Sequence, residues 1–180
     1  HSRLTDFKLN VYMEEIAFGP GVEISARAFS SIDFQCLKRL CFSSVTDDRE
    51  FNVCWKLPPT LEELEIRDSN ALCIQLPPNL KVLSIFGSSL LHIHEDCFPE
   101  TLERLFLMNC TEIDLQFKQQ RQNTLPMNLK TCVFSGMKNL DMIKALPPNL
   151  RILEVMNCPA NSFYGLKLPL SLQHLRFGYV

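Results

Sequence analysis

Eight cysteines and four histidines offer the most reactive chemistry in this 180-residue chain. Thiols can hold zinc, attack a carbonyl or join as disulfides, and each use demands a particular spacing. Cys36, Cys41, Cys54, Cys73, Cys97, Cys110, Cys132 and Cys158 are scattered singly, without a C-x-x-C pair. His92-x-His94 has no matching cysteine pair and reads as part of a loop, so the spacing predicts no structural metal. Several cysteines fall where the repeat described below wants a buried residue, so they read as small reduced hydrophobes. Asn109-Cys110-Thr111 is a formal glycosylation sequon. The scattered thiols outweigh that single match, and the expected residence is cytoplasmic or nuclear. Among the carboxylates, Asp47-Asp48-Arg49-Glu50 reads as a solvated loop, and Glu62, Glu63 and Glu65 as a charged strand edge. No phosphate-binding loop, dinucleotide fingerprint, nucleophile elbow or His-Glu-x-x-His helix is present, so neither an enzyme nor a cofactor is expected.

Composition narrows the partners. Eighteen basic residues against twenty acidic ones leave a net charge of −2, which is no footprint for a nucleic-acid backbone or an anionic membrane. No run of 18 apolar residues occurs, and the first residues carry no apolar signal core. With 46% hydrophobic residues the chain has ample material for a core. A generic polyanion binder is not expected.

What must position these residues is a repeat. Leu57-Pro58-Pro59-Thr60-Leu61, Leu76-Pro77-Pro78-Asn79-Leu80 and Leu146-Pro147-Pro148-Asn149-Leu150 are near copies, and degenerate forms begin at Phe98, Leu125 and Leu168. The six heads are spaced by 19, 22, 27, 21 and 22 residues. Each is followed by an L-x-x-L-x-L motif, from Leu61-x-x-Leu64-x-Ile66 to Leu172-x-x-Leu175-x-Phe177. The alternation at its end has the period of a strand with one buried face. Upstream, Leu37-x-x-Leu40-x-Phe42 fits as well, Leu4-x-x-Phe7-x-Leu9 is a further candidate, and a diverged unit around Val22 to Ala28 fits the gap between them. The polar segment Lys118 to Asn123 in the longest unit reads as a helical turn or exposed loop. No unit can bury its apolar face alone, so the units must stack into one core.

This punctuation resembles the leucine-rich-repeat superfamily over most of the chain, and Leu-Pro-Pro-Asn-Leu is similar to the short LPX-type repeats of bacterial effectors. The asparagine those repeats place eight residues after the first Leu is here Ser69, Ser88, Cys110, Met137 or Cys158. The resemblance implies an α/β-type repeat solenoid, right-handed and curved, with a parallel concave β-sheet and a mostly irregular or extended convex side. It would form one domain over 1–180 with about seven to eight repeats.

Variable positions within each strand should then tile the concave face. In the middle of the chain they are apolar, at Val82, Phe86, Phe106, Met108, Val133, Ile152 and Met156. Glu63, Glu65, Arg67 and Asp68 lie on the N-terminal side of this zone, and Arg104, His174 and Arg176 lean basic toward the other end. The expectation is a protein–protein interaction module whose partner carries a basic end, an apolar centre and an acidic end. The resemblance also implies a second reading, the substrate-recognition domain of a ubiquitin ligase of F-box or effector type with its active part outside this chain. A third is a scaffold that self-associates. The last strand, ending at Phe177-Gly178-Tyr179-Val180, is expected to leave an open edge, as in a fragment of a longer protein or an end covered by a partner or second copy.

Overall fold

A computed structural model describes residues 2–3, 9–20, 22–24, 29–44, 55–69, 73–88, 91–93, 98–110, 113–115, 125–138, 140, 145–159, 165 and 167–178. Alternating burial within each unit produces a strand, and the strands stack in sequence order into a parallel solenoid. One sheet holds eight of them, β2 (Glu15–Phe18), β4 (Arg39–Ser43), β6 (Glu63–Arg67), β8 (Val82–Phe86), β10 (Arg104–Met108), β12 (Thr131–Ser135), β13 (Ile152–Met156) and β14 (His174–Gly178). Every neighbouring pair is parallel and in register, so equivalent residues of successive units form straight columns.

A second sheet of β5 (Trp55–Lys56), β7 (Cys73–Gln75), β9 (Leu91–Ile93) and β11 (Ile113–Leu115) forms on the return segments of the central units. The irregular return expected from sequence is therefore partly a regular sheet. β1 (Ser2–Arg3) and β3 (Val22–Glu23) make a separate two-stranded pair. Helix among the described residues is limited to Phe29 and Ser30, so the α/β designation does not hold for them. Units of 19 to 27 residues that already hold a five-residue strand and its Pro-containing entry leave little length for a helix.

The second and fourth residues of each strand face the core. Leu64, Ile66, Leu83, Ile85, Leu105, Leu107, Cys132, Phe134 and Leu153 are all essentially inaccessible. Burying each of the larger aliphatic side chains among them is worth about 1.5–3 kcal/mol. In the N-terminal units the core is aromatic. Trp55 lies edge-on to Phe42 at 4.9 Å and 5.6 Å from Phe29, while Phe18 stacks on Phe42 at 5.9 Å. These rings fill the longer first turns, whose equivalent strand residues Glu15 and Arg39, or Cys41 and Glu65, are 24 apart in sequence. The first strand of the sheet comes from Met13-x-x-Ile16-x-Phe18, a unit the sequence reading passed over in favour of Leu4. Positions 4–8, most of 22–28, the 47–50 loop and the 118–123 segment lie in part or whole outside the described residues.

Three hydrogen-bonded columns join the units. From the unit headed by Leu76 onward, the residue before the leading Leu donates from its side chain to the carbonyl two residues past the head of the preceding unit. Asn79 thus donates to Pro59 O at 2.9 Å, Thr101 to Pro78 O at 2.7 Å, Asn149 to Met127 O at 3.1 Å and Ser171 to Pro148 O at 2.6 Å. A second column sits at the strand exits, where Ser44, Asp68, Gly87, Asn109, Gly136 and Asn157 all take positive φ between 46° and 62°. Their amides donate to the last strand carbonyl of the next unit, as from Asp68 to Phe86 O at 2.8 Å. The third column is buried, running through Ser69, Ser88, Cys110, Met137 and Cys158. Ser69 Oγ donates to Arg67 O at 2.8 Å, Ser88 Oγ to Phe86 O at 3.2 Å and Cys158 Sγ to Met156 O at 3.2 Å. A short hydroxyl or thiol reaching back two residues satisfies the corner carbonyl here.

The cysteines divide. Cys36, Cys41, Cys110, Cys132 and Cys158 are thiols outside any disulfide, three of them buried. Burial pushes the Cys110, Cys132 and Cys158 thiols up from their ordinary value, so they serve as core residues. Cys73 is disulfide-bonded, and its partner lies outside the described residues. This corrects the reading of all eight as reduced, and the cytoplasmic or nuclear residence argued from that reading loses its support. His92 stands within β9 and not in a loop.

Candidate functional site

One face of the eight-stranded sheet is turned away from the core. Strand pleating sends the first, third and fifth residues of each strand to this face, which is the register the sequence predicted. The apolar set lies together across four neighbouring strands, with Val82 and Phe86 on β8, Phe106 and Met108 on β10, Val133 on β12, and Ile152 and Met156 on β13. All seven are half-buried. Strands about 4.8 Å apart let each side chain shield its neighbours. Phe106 stands between Ser84 and Val133, and Met108 between Phe86 and Ser135. Met156 extends over Gly178, where an added Cβ would sit 3.1 Å from its methyl.

Charged residues flank this zone and are tied to one another. Arg39 donates to Glu15 at 2.7 Å, which raises its pKa, with Glu63 adding to the effect. Arg67 pairs with Glu65, and its guanidinium also lies 5.5 Å from the centre of the Phe86 ring. Beside them the Cys41 thiol contacts Glu65 at 3.9 Å, and burial first and this carboxylate second push its pKa up. At the other end Glu154 has His174 at 3.5 Å and Arg176 at 4.0 Å. Glu63, Arg67, Arg104, His174 and Arg176 are exposed, and Glu65 is half-buried.

A depression of about 160 Å³ opens on the N-terminal part of this face, lined by Glu15, Arg39, Cys41, Glu63, Glu65, Val82 and Ser84 along with the strand residues beneath them. It meets the apolar zone only at Val82. The sequence reading placed Glu63, Glu65 and Val82 on the face but did not foresee a hollow among them. Whether side chains leave space between columns depends on their rotamers, which spacing does not reveal.

A charge column along the side where the strands begin was also missed. Lys38 lies 3.8 Å from Glu14, Lys81 2.7 Å from Glu62, and Lys130 2.9 Å from Glu103. Lys81 draws the Glu62 carboxyl below its usual range and is itself raised by Glu62, with Glu103 contributing. The signal was present as the residue after each leading Leu, which reads Glu, Lys, Glu, Lys, Glu, Lys down the units from 14 to 130. Among the described residues no three His, Cys, Asp or Glu side chains are grouped to hold a metal, and no helix is long and apolar enough to cross a membrane. No family model matches the chain and no curated protein matches it.

Proposed function

We propose that this chain is a non-enzymatic protein–protein interaction module of leucine-rich-repeat type that captures a protein on the open face of its eight-stranded sheet. The observation that carries the reading is the contiguous apolar zone of seven outward side chains on β8 to β13. Outward positions of a sheet open to solvent are ordinarily polar, and a continuous apolar patch rimmed by charge is the composition of an interface. Phe106 and Met108, at the middle of the zone, are its anchors. Arg67 and Glu65 on one side, and Arg104, His174 and Arg176 on the other, form a rim that orients the partner more than it holds it.

The test replaces the anchors by charge without disturbing the core-facing residues between them. Phe106→Asp combined with Met108→Asp should keep the far-UV spectrum of the parent and lose the proteins that the parent retains from a cell lysate. If parent and variant retain the same proteins, or neither retains any, this face does not capture another protein.

A further inference from the structure

We infer that the occupant of this face is a second copy of the same chain, docked face to face about a twofold axis lying parallel to the strands between β10 and β12. The inference rests on the docking reading above and names its partner. With Glu63 and Glu65 on one side of the apolar centre and His174 and Arg176 on the other, the face is complementary to itself when one copy is reversed. The column registers allow that reversal to be followed residue by residue.

An axis in this direction reverses strand order and preserves position along each strand, giving an isologous contact. It lays β6 over β14 of the second copy, β8 over β13 and β10 over β12. Because the strands are parallel and in register, first, third and fifth residues meet their own kind. Glu63 then faces His174 of the second copy, and Glu65 faces Arg176. Val82 meets Ile152, Phe86 meets Met156, and Phe106 meets Val133. Ser84 is set to donate to Glu154. Symmetry repeats each meeting, so the apolar residues pair with one another and Glu65 with Arg176 closes both ends with opposite charge. Met108 over Ser135, Arg104 over Thr131 and Arg67 over Gly178 add no charge conflict. The other in-plane twofold, running across the strands, would set Glu65 on Glu65, Glu154 on Glu154 and Arg176 on Arg176, and like charges exclude it. Arg176 is held loosely within its own chain, 4.0 Å from Glu154, and is free to engage a second carboxylate.

Sedimentation equilibrium of the purified chain at rising concentration and low salt should show a mass moving from 20.7 kDa toward twice that value. Arg176→Glu alone sets two glutamates against each other at both ends, and Glu65→Arg alone sets two arginines there. Each should remain a monomer with the parent's far-UV spectrum. Mixed in equal amounts the two variants should associate, since every end again joins opposite charges. If either variant loses its spectrum, Glu65→Lys and Arg176→Asp repeat the same exchange at the same two positions. A parent that is monomeric at every concentration overturns the self-docking proposal while leaving capture of another protein on this face standing. Single variants that still dimerise, or folded variants that fail to associate when mixed, overturn this arrangement of the two copies.

Discussion

At position 87 a glycine stands where the chain leaves β8 with φ of 61°, and a Cβ there would collide with the Asp68 carboxylate that folds over it from the preceding unit. Gly136 stands in the same relation to Asn109. The exit column thus accepts a side chain at 68 and 109 because the next residue along it has none. Asn, Asp and Ser tolerate the left-handed region, and glycine enters it freely. Gly87→Ala should therefore lower stability in urea titration by about 1–2 kcal/mol from backbone strain, with more from the collision. In an Asp68→Ala background the added loss should vanish and the strain remain. An equal loss in both backgrounds would show that the Asp68 side chain simply moves aside. These residues were visible in sequence as a set of small and polar types, yet their shared conformation was not. One position later, where the LPX-type repeats hold asparagine, this chain places buried Ser, Cys and Met, and its Ser and Cys serve the corner carbonyl differently.

At the scale of the element, Leu-Pro-Pro-Asn-Leu is explained by what its Asn does. The side chain bridges to the preceding unit, while the backbone turns so that the Leu amide donates to the first of the two prolines, as from Leu80 N to Pro77 O. Thr and Ser substitute because one hydroxyl proton reaches the same carbonyl. Thr101 has two acceptors in range, Pro78 O at 2.7 Å and Leu80 O at 2.9 Å. Thr101→Val keeps the shape and removes the donor, and should cost about 0.5–1.5 kcal/mol by urea titration. No change in stability would mean that water replaces the bond at this exposed position. The repeated strands were legible because L-x-x-L-x-L survived in six units. The Met13 unit was not, since its leading Leu is Met and no Leu-Pro precedes it. The second sheet was hidden for another reason: strands of two or three residues are too short to show an alternation.

For the whole molecule, stacking makes stability a property of neighbours. β8 and β10 are covered on both sides, and Leu83, Ile85, Leu105 and Leu107 are inaccessible. β14 has one neighbour in the sheet, and its core-facing Leu175 and Phe177 are 42% and 52% exposed. Amide hydrogen exchange should accordingly be slowest in 82–86 and 104–108 and fastest among the sheet strands in 174–178. Uniform protection would indicate that the last strand is covered in solution.

Sequence alone determined that the chain is a stack of repeated strands, which residues of each strand face inward, and which apolar side chains gather on the outward face. Those follow from local period and from the need of each unit to bury one side. Tertiary structure alone decided that the returns form a second sheet, that Cys73 is bridged, that hydroxyls and thiols close the buried corners, and that Glu63 and Glu65 share a hollow with Cys41 and Arg39. It also decided the column register on which self-complementarity depends. Each of these is set by which residues of different turns come within bonding distance. Units of unequal length leave that undetermined until they are stacked.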